Sequence, residues 1–183
     1  MNFKFEGNKI AGLKIIEPKL FKDSRGYFFE TYKASSFQEI GISDVFIQSN
    51  QSFSTKGVVR GLHFQSGQSA QAKLVRCLRG EVYDVALDLR KSSPTFGQYF
   101  GINLSAENHL MLYIPTGFAH GFSVLSDEAE VFYDVAACEY DAKAESGVRF
   151  DDPTLAIDWK VKNPIVSDKD QALPFLNDLK NFF

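Results

Sequence analysis

Cysteine is scarce in this chain: Cys77 and Cys138 are the only two among 183 residues. Two thiols so spaced cannot staple a disulfide framework, and they form no CxxC metal pair. Long apolar runs are also missing. None approaches the roughly 18 residues of a membrane helix. The opening MNFKFEGNKIAGLKII lacks a long apolar core ending in a small-residue cleavage site, so no signal peptide is expected. Nor is there an excess of positive charge. The formal net charge is −3, which makes nucleic acid and an anionic membrane unexpected partners. A small anionic ligand stays open, because it needs only a few converging Arg or Lys side chains. The expected location is the cytoplasm. Linkers, low-complexity stretches and internal repeats are absent, so a single domain is expected over residues 1–183.

What the chain has in quantity is aromatic residues, with 18 Phe and 7 Tyr. Phe and Tyr favour pleated strands, so an aromatic β core accounts for most of them. The rest could line a pocket that stacks on a base or sugar. The texture is of short apolar runs separated by Gly, Pro, Asn, Asp and Ser, which predicts an all-β fold. The clearest run is 81–89. Tyr83, Val85, Leu87 and Leu89 point one way, and Val82, Asp84, Ala86 and Asp88 the other. Residues 73–78 read as its partner strand through an Arg79-Gly80 hairpin turn. Further strands are expected at 10–17, 26–32, 45–52, 99–104, 111–115, 121–125 and 129–136. Ser36-Phe37-Gln38-Glu39 has capping-box spacing, with Gly41 to stop the helix. A second helical piece is expected within 170–183, interrupted by Pro174. Many strands and little helix predict a barrel or double-sheet jelly roll, core about 10–160, enclosing a cavity.

Only three histidines are present. His109 lies in the polar turn Ser105-Ala106-Glu107-Asn108 and reads as a solvated loop residue. His63 follows Arg60-Gly61-Leu62, and His120 lies between Gly117 and Gly121, where the backbone can take tight paths. A metal-binding jelly roll commonly uses His-x-His plus Glu. Here position 65 is Gln and no His-x-His occurs, so no metal is expected. An organic acid/base site is expected instead, because His63 can take a proton near neutrality if an acidic residue orients it. Arg25, Arg60, Lys73 and Tyr133, taken singly, read equally well as surface charges and a core tyrosine with a wet hydroxyl.

Taken together, these stretches resemble the dTDP-4-dehydrorhamnose 3,5-epimerase family. The resemblance rests on Asp23-Ser24-Arg25-Gly26, Gln48-Ser49-Asn50-Gln51-Ser52, the run from Lys56 to His63, Gln71-Ala72-Lys73-Leu74-Val75, Arg79-Gly80-Glu81-Val82-Tyr83-Asp84-Val85, Ser93-Pro94-Thr95-Phe96-Gly97, and the run from Ile114 to Phe122. Ile157-Asp158-Trp159 and Ser167-Asp168-Lys169-Asp170 follow in the C-terminal part. They fall in the family's order between about residues 20 and 175. The resemblance implies a cupin-type jelly roll with a few short peripheral helices, acting as a homodimer without cofactor or metal. It implies a dTDP-4-keto-6-deoxyhexose substrate, inverted at C3 and C5 through an enolate in a pathway to rhamnose. It also implies roles: His63 as base, oriented by Asp170 from the C-terminal segment 161–183; Lys73 at the C4 oxygen with His120 nearby; Tyr133 returning a proton from the opposite face. Arg60 would meet the pyrophosphate. Arg25, Glu30, Gln48 and Asn50 would hold the nucleotide, some from a partner subunit, and Glu145 and Lys169 would make further substrate contacts.

There are departures from the family pattern. Asp134 stands where Lys usually follows the tyrosine, Phe150 where Trp is common, and the stretch 135–140 is about one residue longer. Tyr140 is the candidate for stacking on the base. These changes are expected to border the sugar pocket and so to bear on how many centres are inverted. A C3-only or C5-only epimerase of a related dTDP-4-ketohexose is the alternative.

Overall fold

The computed structural model describes residues 2–7, 9–180 and 183. Thirteen strands follow in chain order: β1 (Phe3–Gly7), β2 (Lys14–Pro18), β3 (Phe21–Asp23), β4 (Gly26–Phe28), β5 (Phe46–Thr55), β6 (Val59–Gln65), β7 (Ala72–Arg79), β8 (Glu81–Asp88), β9 (Tyr99–Ser105), β10 (Met111–Ile114), β11 (Phe118–Val124), β12 (Glu128–Ala136) and β13 (Glu145–Gly147). The helices are short, α1 (Ala34–Glu39) and α2 (Asp168–Gln171). Pairing is antiparallel throughout the named strands. One sheet runs β1-β2-β10-β7-β12-β5, the other β13-β6-β11-β8-β9, and β3-β4 forms a separate hairpin. The two large sheets make a double-sheet jelly roll of the cupin type.

Strand β8 explains why the fold is thick. Its inward side chains Val82 and Ala86 join Val75, Cys77, Phe122 and Val131 between the sheets. Its outward side chains Val85 and Leu87 are covered by Leu155, Trp159, Leu176 and Leu179 from the C-terminal part. The alternation in 81–89 is therefore a strand buried on both faces, with its acidic residues Asp84 and Asp88 buried as well. A buried carboxylate must find a partner. Asp88 bonds Arg90, Ser93 and Thr95, and Asp84 bonds His120.

Two sequence expectations need correction. Residues 73–78 form a strand, but it does not pair with β8. Strand β7 pairs with β10 and β12, and β8 with β11 and β9. Arg79-Gly80 is thus a corner between sheets, not a hairpin turn. Gly80 has φ 74°, and a Cβ there would lie 2.0 Å from the Glu128 carbonyl oxygen. Only glycine fits so tight a corner. The capping box at Ser36 is also absent, because α1 begins earlier, with Lys33 at the N-cap and no side-chain cap. Gly41 does stop the helix: at φ 77° it lets the Ile42 N–H reach the Phe37 carbonyl. The cap with that spacing lies further on, where Ser167 Oγ accepts the Asp170 N–H at 3.1 Å and starts α2. Helix α2 begins two residues ahead of the expected stretch 170–183 and ends before Pro174, and only a 3-10 turn at Leu176–Asp178 follows. Among the described residues no helix is long and apolar enough to cross a membrane.

Candidate active site

A cleft of about 200 Å³ opens between the two large sheets. From the five-stranded sheet it receives His63, Phe64 and Gln65 of β6 and Glu145 of β13. From the six-stranded sheet it receives Gln48 and Asn50 of β5, Lys73 of β7 and Tyr133 of β12. Gln71 and Tyr140 complete the wall. Strand pairing sets these positions: Tyr133 lies opposite Asn50 on one side and Val75 on the other, and His63 lies opposite His120. The β6 and β11 backbones approach closely because both carry glycine. A Cβ on Gly61 would sit 2.6 Å from Gly121 Cα.

Behind the cleft, His63 Nε2 meets Asp170 Oδ1 at 2.8 Å. The second oxygen of Asp170 accepts the Gly61 N–H at 3.0 Å. Asp170 is buried. Although burial pushes its carboxyl up, the bonds from His63 and Gly61 outweigh it and hold the group below the usual carboxylate range. A carboxylate on Nε2 fixes the proton there and leaves Nδ1 with a lone pair.

On the facing sheet, the Lys73 ammonium lies 5.8 Å from the centre of the Tyr133 ring. Lys73 is partly open to the cleft and otherwise enclosed by protein. Burial lowers its ammonium to about 8, against the opposing pull of Asp84 and Glu145. Among the described residues it has no hydrogen-bonding partner, so its donors are free for a ligand. Burial raises the Tyr133 phenol above its ordinary value, partly countered by Arg60. It therefore keeps its proton at neutral pH. The His120 ring stands 6.3 Å from the Tyr133 ring, and its Nε2 meets Asp84 Oδ2 at 2.8 Å.

At the rim, Lys169 Nζ binds both oxygens of Glu145 at 2.7 Å, and the Tyr140 hydroxyl donates to Glu145 at 2.6 Å. Burial raises the Glu145 carboxyl, but these bonds win and hold it below its ordinary value. The Tyr140 ring is 52% exposed, a free face for stacking, and its N–H donates to Gln48 Oε1 at 2.9 Å. Gln48 in turn donates to Asn50 at 3.0 Å.

Three expected residues are not brought to the cleft within one chain. Arg25 is on the β3–β4 turn, paired with Asp23 at 2.6 Å. Glu30 accepts a bond from Asn2. Arg60 is exposed and turns along β5, donating to Ser54 Oγ at 3.0 Å and the Phe53 carbonyl at 3.2 Å. The departures from the family pattern do not border the pocket as expected. Because Tyr133 points inward, Asp134 points out, where it accepts a bond from exposed Ser49 at 2.6 Å. Phe150 packs in the outer cluster around Trp159. Only the region of Tyr140 touches the cleft, shortly after Ala137 takes the left-handed φ of 77°. Gln65, Gln71 and Asp84 were not singled out as site residues. The one signal for Asp84 was a carboxylate on the inward face of a core strand. Among the described residues no group of three His, Cys, Asp or Glu could hold a metal ion.

Comparison with known proteins gives the family. Residues 7–178 match the family model described as dTDP-4-dehydrorhamnose 3,5-epimerase. A protein of that name from Shigella flexneri is 53% identical over 163 residues, covering 88% of this chain and 90% of its own length. The crystal structure of dTDP-4-dehydrorhamnose 3,5-epimerase from Elizabethkingia anophelis NUHP1 superposes with a TM-score of 0.94 at 48% identity, covering 100% of both chains. That of the dTDP-6-deoxy-D-glucose-3,5-epimerase from Legionella pneumophila Philadelphia 1, in complex with dTDP-4-keto-L-rhamnose, superposes with a TM-score of 0.93 at 47% identity, covering 97% of this chain and 95% of that one. With most of its length matched in sequence and all of it in fold, the chain belongs to the dTDP-4-dehydrorhamnose 3,5-epimerase family.

Proposed function

We propose that this chain is an isomerase that inverts C3 and C5 of dTDP-4-keto-6-deoxy-D-glucose, giving dTDP-4-keto-L-rhamnose for rhamnose biosynthesis. The observation that carries this reading is the origin of the acid/base groups: His63 comes from one sheet, and Lys73 and Tyr133 from the sheet facing it. Inversion needs a base on one side of a carbon and a donor on the other.

His63 Nδ1 takes the proton from the carbon beside the C4 ketone, and the C–H electrons move onto the C4 oxygen. The developing oxyanion is stabilised by the Lys73 ammonium, with His120 beside it. The Tyr133 hydroxyl then delivers a proton to the opposite face. Exchange with water restores both groups, and the second carbon follows in the same way. Asp170 holds His63 in the tautomer that leaves Nδ1 basic. No step requires a metal or an organic cofactor. Tyr140 supplies the stacking face for thymine, Gln48 and Asn50 supply amides beside it, and Glu145 with Lys169 closes the rim.

The nucleotide end is completed by a second copy of the chain, whose Arg25 and Glu30 join Arg60 at the diphosphate. Support comes from the β3–β4 hairpin, which carries Tyr27 at 57% and Phe28 at 66% exposure beside Arg25. An exposed apolar pair of this kind suits an interface. Light scattering should give the mass of a homodimer; a monomer at micromolar concentration would refute that part. We read residues 1–183 as one catalytic unit and place it in the cytoplasm, where the free thiols Cys77 and Cys138 suit a reducing environment. The overall reading is tested by incubating the pure protein with dTDP-4-keto-6-deoxy-D-glucose and following ring proton couplings by NMR. Inversion at both carbons is expected; inversion at one carbon or none contradicts the assignment.

A further inference from the structure

Contact partners at the cleft leave one charge of each sign over. Lys169 is taken by Glu145, and Asp170 is bonded by His63 and Gly61. What remains is the Lys73 ammonium, with no hydrogen-bonding partner among the described residues, and Oδ1 of Asp84. Asp84 is fully buried; its Oδ2 meets His120 Nε2 at 2.8 Å, while Oδ1 meets no donor among the described residues. A buried carboxylate oxygen without a protein partner is costly in a packed interior. Val82 and Ala86 of β8 face the inter-sheet core, so Asp84 between them does too; Val75 and Cys77 of β7 place Lys73 on the facing inner surface. The Tyr133 ring neighbours both, 6.3 Å from the His120 ring and 5.8 Å from Lys73 Nζ.

We propose that Asp84 is a positioning residue of the epimerase, which orients His120 and sets a fixed negative charge opposite the Lys73 ammonium. The inference rests on the function proposed above. Burying a lone ammonium beside a site that must generate an oxyanion would favour loss of its proton. Asp84 opposes that loss from across the core, and Glu145 assists from the rim. The other titratable groups at the cleft are His63, His120, Tyr133, Tyr140, Lys169 and Asp170; the only carboxylate among them, Asp170, is already engaged by His63 and the Gly61 N–H. A carboxylate hydrogen-bonded only to His120 serves this purpose, because a direct ion pair would occupy the donors that must reach the enolate.

The test uses two variants and the pH dependence of kcat. Asp84→Asn keeps an oxygen that can accept the His120 N–H and removes the charge. The alkaline limb set by Lys73 should move down by roughly one pH unit, the size expected for one partly screened charge nearby, and kcat at neutral pH should fall with little change in KM. His120→Gln keeps an amide donor for Asp84 and keeps the charge. It should turn over more slowly with the limb in its original place. An unmoved limb in Asp84→Asn overturns the proposal. So does a limb in His120→Gln displaced as far as expected for the loss of charge, a result that stands even if Asp84→Asn fails to fold. Heteronuclear NMR titration of the Lys73 side chain gives the same comparison without substrate. A wild-type protein inactive on this sugar nucleotide would therefore sink the functional reading and leave the Asp84 proposal to be judged on its own.

Discussion

Replacing Asp170 by asparagine isolates the tautomer of His63 with little disturbance of shape. The carboxylate accepts from His63 Nε2 at 2.8 Å and from the Gly61 N–H at 3.0 Å. An amide has one acceptor. With its oxygen kept on the Gly61 N–H, its NH2 group faces His63 Nε2, which must then become an acceptor. The ring proton moves to Nδ1, the nitrogen that the mechanism needs as base. The same inversion of tautomer in a Ser-His-Asp triad costs about 10⁴ in kcat, and a loss of about 10³–10⁴ is expected here. The fold should survive. A charge-assisted bond contributes about 1.5–3 kcal/mol, part of which is offset because a charge is no longer buried. The Asp170 backbone N–H also stays on Ser167 Oγ. Circular dichroism should therefore show a folded protein with a modestly lower Tm. NMR should show slow deuterium exchange at both carbons of the substrate, and ¹⁵N shifts should place the His63 proton on Nδ1. Turnover within about tenfold of wild type, with the proton still on Nε2, would refute the reasoning.

Tyr133→Phe should separate proton removal from inversion. His63, Asp170 and Lys73 remain, so exchange continues from one face, while inversion falls by about 10²–10⁴ through loss of the general acid; equal, small changes in both would remove Tyr133 from the mechanism. The wild-type pH profile should decline as pH rises through about 8, where Lys73 loses its charge. The sign follows from the role: the protonated ammonium is the active form, so its loss lowers the rate as pH rises through that value. A profile flat to pH 10 would mean that the ammonium does not stabilise the enolate.

The all-β architecture was legible because alternation and turn residues are local signals. Strand β8 illustrates both the strength and the limit of that signal. Its two faces were read correctly, but the sheet it joins depends on a corner at Gly80, and a two-residue link looks the same in sequence whether it makes a hairpin or a crossing. Strand β6, which carries His63, was missed as a strand because Gly61 and burial on both faces erase alternation. Within the site, the resemblance supplied the residues and the fold supplied their grouping. Asp170 lies 107 positions from His63, a pairing that no local pattern encodes. Asp134 was expected at the sugar pocket, yet strand periodicity relative to inward Tyr133 turns it outward. The sequence places Asp84 on one face of β8 with Val82 and Ala86, but its burial and its partner His120 depend on β8 and β11 lying side by side.

The central claim is that one histidine, His63, removes both protons. It is tested most directly by counting deuterium at C3 and C5 of the sugar nucleotide after incubation in heavy water with wild-type protein and with His63→Ala. The account predicts deuterium at both carbons with the wild type and at neither with the variant, which should fold normally. Wash-in by His63→Ala at near wild-type rate, at either carbon, would mean that the base lies elsewhere.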